Sequence, residues 1–136
     1  MRQQSATTRS TRRGVAATEF AVCLPVMILL LLGMIETCSA IFLKQSLAVA
    51  AYEGAHTAVV PGATAADVRR VAEGVLADRR VQGGSVDVLP SGLDAIAPGQ
   101  PIEVRVSAPS DGNTLISGRF FRGRTLTSTA VFVKEI

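Results

Sequence analysis

The sequence predicts an α+β protein, with a long N-terminal transmembrane and stalk helix followed by a small domain of one helix and about three antiparallel strands. Three observations predict it. From Phe20 to Ile35 every residue is apolar or small, and the helical signal continues through an alanine-rich stretch. After Pro61-Gly62 one segment carries apolar residues at helical spacing, and three later ones are short and rich in alternating or β-branched residues. The expected organisation is a basic leader over 1–14, a transmembrane and stalk helix over 15–58, and a small extracytoplasmic α+β domain over 61–136.

Residues 1–14 are polar and basic with no apolar periodicity, so they read as an irregular cytoplasmic leader. Val15 to Ile35 is 21 residues, and about 20 are needed to cross the hydrocarbon core. Pro25 would break a helix in water, but a membrane helix tolerates it as a kink. Past the membrane, Ile41, Ala48 and Ala55 recur every seven residues, with Leu47, Gly54 and Ala58 nearby. Small residues on one helix face let another helix approach closely. Ala48 and Ala55 are therefore positions for packing against other subunits, or against the chain's own domain. One continuous helix of about 40 residues, roughly 60 Å long, should end before Pro61.

Thr64-Ala-Ala-Asp67 is a capping-box signature. Val68, Val71, Ala72, Val75 and Leu76 follow at helical spacing, with Val68, Val71, Val75 and Leu76 as the expected buried stripe. Gln82-Gly83-Gly84 should end this helix. Ser85–Leu89 places Val86 and Val88 on one strand face, and Pro101–Ser107 opposes Ile102, Val104 and Val106 to Glu103, Arg105 and Ser107. Thr125–Glu135 is Thr/Val-rich with an ambiguous buried face. Pro98-Gly99 marks a turn. Ala108–Gly123 reads as a long polar loop carrying Phe120 and Phe121, rings suited either to a partner contact or to anchoring in the core.

The basic character of the chain is local. Four of its 14 Lys/Arg precede Gly14, where no acid occurs, so the remainder holds ten basic and eleven acidic residues. A nucleic-acid partner would need clustered positive charge on the folded part, and none is expected. Arg2, Arg9, Arg12 and Arg13 instead form a topogenic flank that keeps the N-terminus in the cytoplasm. Cys23 and Cys38 lie 15 residues apart on one helix, roughly 22 Å, too far for a bond within one chain. They read as small buried hydrophobes, or, for Cys38, as a bridge between subunits.

Catalytic groups are scarce. His56 is the sole histidine, no His/Cys cluster has metal spacing, and no Gly-rich phosphate loop follows a strand. Asp111-Gly112-Asn113 reads as a turn before it reads as a cation site. No enzyme activity, cofactor or metal is expected.

One carboxylate stands out. Glu19 sits at the head of a membrane-length helix, where a charge needs a partner or a function. Gly14 followed by Val15-Ala-Ala-Thr-Glu19-Phe20, behind Arg12-Arg13, resembles the bacterial class III signal, in which a prepilin peptidase cuts after a glycine and leaves Glu at mature position five. The pattern Arg12-Arg13-Gly14, Glu19-Phe20-Ala21, Leu24-Pro25, Gly33-Met34-Ile35-Glu36 and Ala50-Ala51-Tyr52-Glu53-Gly54-Ala55 is similar to the TadE-like minor pseudopilins of the tight-adherence (Flp, type IVc) pilus. It departs at Thr37-Cys38-Ser39, where members often carry an aromatic and a basic residue.

The resemblance implies cleavage between Gly14 and Val15, with Glu19, Phe20 and Pro25 serving recognition and assembly. It implies as partners a prepilin peptidase, other pilin or pseudopilin subunits, the inner-membrane assembly platform and membrane lipid. It also implies a single-pass protein of the bacterial inner membrane, domain outside, with entry into a pilus left open. Glu36, about 31 Å along the helix from Val15, reads as a solvated residue at the far interface. Two other readings remain on sequence alone. One is a secretory signal cut after Cys38-Ser39-Ala40, and the other an uncleaved single-pass anchor for a binding domain.

Overall fold

The computed structural model describes residues 7–93, 96–115 and 121–134, with side chains from residue 14 onward. The chain divides into two compact units, Met1–Ile35 and Glu36–Ile136. Helix α1 runs from Thr7 to Ala58, 52 residues, with Pro25 inside it. It therefore begins within the segment expected to be irregular. Between Thr7 and Ala17 only Gly14 strongly disfavours helix, and a helix already nucleated extends by one hydrogen bond per residue fixed.

In the first unit every large apolar side chain from Val15 to Leu32 is exposed. A helix apolar on all sides needs apolar surroundings. The apolar portion of α1 is long enough to cross a membrane once.

The second unit has its own core. Helix α2, Ala65–Asp78, opens on the expected capping box: Thr64 Oγ1 accepts from Asp67 N, and the Asp67 carboxylate accepts from Thr64 N at 3.1 Å. It buries Val68, Ala72 and Leu76. Val71 and Val75 are only partly covered, because positions 68, 72 and 76 follow a single i, i+4 row while 71 and 75 lie to its side.

The helix stops before Gly83-Gly84. Arg79 is the C-cap, Arg80 takes a left-handed φ of 57°, Arg80 N donates to Ala77 O, and Val81 N donates to Leu76 O. These two bonds make a Schellman motif with arginine where glycine is usual.

Three strands form an antiparallel meander in the order β1-β2-β3: Ser85–Leu89, Pro101–Pro109 and Thr125–Val133. Val86, Val88, Ile102, Val104 and Val106 face the core as expected. β2 extends two residues beyond Ser107, Ala108 being 1% exposed. Its register with β3 pairs Val104 with Ala130 and Ile102 with Phe132, so β3 turns Leu126, Ser128, Ala130 and Phe132 inward. The Pro98-Gly99 turn forms, with Gly99 N donating to Lys134 O at 2.9 Å.

The C-terminal half of α1 completes this core with Leu43, Leu47, Ala50, Ala51, Ala55 and Ala58. Gly54 allows the approach. A Cβ there would lie 3.2 Å from Val104 Cγ1 and 3.4 Å from Ala72 Cβ.

Candidate functional site

The site read from the sequence lies on the first unit's exposed helix. Gly14, Val15, Glu19, Phe20 and Pro25 are all in α1, with Val15 and Phe20 59% and 57% exposed. Val15, Thr18, Glu19, Val22 and Cys23 share one face, as their i, i+3, i+4, i+7 and i+8 spacing requires, and line a shallow concavity. Thr18 Oγ1 donates to Gly14 O at 2.8 Å. The Gly14–Val15 peptide is thus helical, at a residue that weakens a helix by about 1 kcal/mol relative to alanine. Among the described residues no ion pair or hydrogen bond reaches the Glu19 carboxylate.

Ala48 and Ala55 do not act together. Ala48 is exposed, while Ala55 is fully buried in the chain's own core. Seven residues fall about 20° short of two full turns, which carries position 48 just outside the arc that 47, 51, 55 and 58 bury. Ala55 therefore packs against the chain's own domain, one of the two readings open to it on sequence, while Ala48 is left on the surface. Outside that arc lie Ile41, Phe42, Ala48 and Tyr52, with Ile41, Phe42 and Tyr52 each at least half exposed. Tyr52 packs edge-on against Phe132 at 5.5 Å and stacks with His56 at 6.4 Å. Cys23 and Cys38 are free and exposed, not buried.

Glu36 was misread by the sequence argument. It is 2% exposed, and its carboxylate accepts from Phe121 N at 3.1 Å. Nothing in local composition announces this, because the partner amide lies 85 positions away. Phe121 is half-buried, with Arg124 over its ring at 5.9 Å; Phe120 lies outside the described residues. Asp111 and Asn113 form a turn that ties segments together. The Asp111 carboxylate accepts from Gly123 N, Asn113 Oδ1 accepts from Gln82 N at 2.7 Å, and Asn113 Nδ2 donates to Gln82 O and Pro109 O.

These features define a class: a single helix apolar and long enough to anchor in a membrane, whose C-terminal half is built into a small α+β domain. Residues 14–56 match the family model described as TadE-like protein, in agreement with the resemblance read from Gly14, Glu19 and the Glu-Gly-Ala segment. The match supports a pilin-like role associated with the tight-adherence pilus. No curated protein and no solved structure matches the chain.

Proposed function

We propose that the chain is a minor pilin-like subunit, a pseudopilin, for biogenesis of a tight-adherence type IV pilus, and that a prepilin peptidase removes residues 1–14. The supporting observation is a coincidence at one point: the family match starts at Gly14, and the exposed apolar helix follows it with Glu19 one turn beyond Val15. Cutting after Gly14 frees an α-amine on Val15. When helices stagger in a bundle, that amine meets the Glu19 carboxylate of a neighbouring subunit. A buried ion pair gains little over an apolar contact, but leaving one partner alone costs about 3–5 kcal/mol, so the contact sets register. The subunit performs no catalysis. It sits in the bacterial inner membrane with the leader inside, held there by the arginines before Gly14, and the domain outside. Its partners are the peptidase, other pilin-like subunits and the assembly platform.

The secretory-signal reading fits the fold less well. Cutting after Ala40 would remove Glu36, Ser39 and Ala40, all of which the folded second unit buries.

Intact-mass analysis of the membrane fraction tests the proposal. The expected species starts at Val15, having lost roughly a tenth of the 14.2 kDa chain. A species starting at Ile41, or an uncut chain where the peptidase is active, would overturn it. Gly14→Leu should block cleavage. Glu19→Ala should leave the protein inserted and cut but impair its assembly; unimpaired assembly would eliminate the pairing model.

A further inference from the structure

The end of the second unit nearest Glu36 carries a combination that packing does not explain. Glu36 immediately follows Ile35, the last residue of the apolar stretch, and holds the 121–124 turn through Phe121 N. Ser110 Oγ donates to Phe121 O, Asp111 holds Gly123 N, and Asn113 clamps Gln82. Three segments, 79–84, 109–115 and 121–124, are thereby gathered at the Glu36 end of the second unit.

These segments carry Arg80, Arg122 and Arg124, all exposed, and Leu115, which at 85% is the most exposed large apolar side chain described. Asp111, whose carboxylate accepts from the Gly123 amide, sets one negative charge against these three positive ones. Arg80 occupies a left-handed position where glycine would be free of strain and a side chain is not. Strain retained at an exposed arginine points to a use for its charge.

From this we infer that the Glu36 end of the domain rests on an anionic lipid surface. Arg80, Arg122 and Arg124 meet headgroup phosphates, and Leu115 enters the boundary between headgroups and acyl chains. The occupant follows from complementarity and position. Exposed cations on the segments that also carry an exposed apolar side chain match a layer of phosphates over hydrocarbon, and Glu36, which holds one of these segments, directly follows the apolar stretch in the chain. The contact fastens the domain to the bilayer before assembly, so withdrawal of the subunit requires its release. This inference rests on the single-pass membrane reading and adds a lipid site on the folded domain.

The chain has no tryptophan, so Leu115→Trp makes a selective reporter. Leu89→Trp is the control, at the opposite end of the sheet, where Leu89 pairs with Glu103. Each full-length variant is reconstituted into phosphatidylcholine vesicles with or without phosphatidylglycerol, using brominated acyl chains as quencher. Each arginine at an anionic surface is worth roughly a fivefold change in the local binding equilibrium. Emission from the Leu115→Trp variant should therefore shift to the blue and be quenched several-fold more with phosphatidylglycerol, while the Leu89→Trp variant stays unchanged.

Salt should reverse the phosphatidylglycerol increment without any mutation, and Arg122→Gln with Arg124→Gln should remove most of it. Quenching independent of lipid charge, or equal at both reporters, overturns the inference. So does a reporter that remains water-exposed in every vesicle and responds only to an acidic protein. Flotation separates the two levels: a chain that floats with vesicles but has a lipid-insensitive reporter defeats this inference alone, and one that floats with none defeats the membrane anchor itself.

Discussion

Glu36 and Phe121 are joined by a 3.1 Å hydrogen bond from the Phe121 amide to the Glu36 carboxylate, linking α1 to the segment that leads into β3. Further along, Lys44 Nζ donates to Thr127 O and Ser128 Oγ donates to Lys44 O at 3.4 Å; beyond them Tyr52 meets Phe132. The order of contacts, 36 with 121, 44 with 127 and 128, and 52 with 132, means that β3 runs along α1 in the same direction.

The first prediction concerns the Glu36–Phe121 member of that series. Glu36→Leu leaves the Phe121 amide without this acceptor in a site from which water is largely excluded. An unsatisfied buried donor costs about 1–3 kcal/mol. Glu36→Gln keeps a carbonyl oxygen in place and should cost well under half as much. Denaturant unfolding of the full chain in detergent measures both, and hydrogen exchange over residues 121–124 should accelerate in Glu36→Leu. Equal stability of the two variants would dissociate the bond from domain stability.

Gly54 gives the second prediction. Its missing side chain is the space that Val104, Ala72 and Val68 occupy. Gly54→Ala sets a gain in helix propensity of about 1 kcal/mol against a 3.2 Å approach to Val104 Cγ1, so its net effect should be small. Gly54→Leu has no room without displacing the sheet and should cost about 3 kcal/mol or more. Thermal unfolding followed by circular dichroism distinguishes them, and a tolerated leucine would contradict the packing.

Much of this domain was legible because its elements obey simple periods. Val86 and Val88, and Ile102 through Val106, alternate with polar residues, and Thr64 with Asp67 announces the start of α2. β3 was not legible in the same way. Threonine and valine suit either face of a strand, and its inner face includes Ser128, which is satisfied by the Lys44 carbonyl, while Val131 and Val133 face out. The end of α2 was misplaced because Arg80 adopts the conformation that Gly83-Gly84 advertises. Glu36 was misread, and Ala48 and Ala55 were left undivided, for one reason: which side of a helix its own domain covers depends on contacts distant in sequence. At the head of α1 the pattern that the family match covers was readable because it is short and contiguous in sequence.

The third prediction is pH-dependent. Hydrogen bonds from the Thr64 hydroxyl and backbone, with Arg70 beside it at 2.6 Å, hold the Asp67 carboxyl below the usual carboxylate range. A carboxyl whose folded value is depressed contributes stability that is complete above its unfolded value and disappears as pH falls through the folded value. Asp67→Asn should therefore destabilise α2 near neutral pH, and the gap from wild type should close in acid. Thr64→Ala removes the cap itself and should cost about 1 kcal/mol. Unfolding midpoints measured across the acidic range check both, and a gap that widens in acid would reverse the assignment.

The last prediction uses the geometry of the stalk to find the partner helix. A pseudopilin that bundles with others must offer them a face its own domain leaves open. On α1 that face holds Ile41, Ala48 and Tyr52, while Leu47, Ala51 and Ala55 are covered by α2 and the sheet. A photoreactive side chain at position 41 or 48 in cells that assemble the pilus should capture small pilin-like chains in a ladder of discrete masses. Capture should fall in the Glu19→Ala variant, because loss of register separates the helices along their length. The same probe at position 55 should capture nothing from outside the chain and should instead weaken the fold, since that side chain is 0% exposed. Equal capture from positions 48 and 55 would mean that the domain lifts off α1 during assembly. Capture from neither, with normal piliation, would favour an uncleaved anchor outside the pilus.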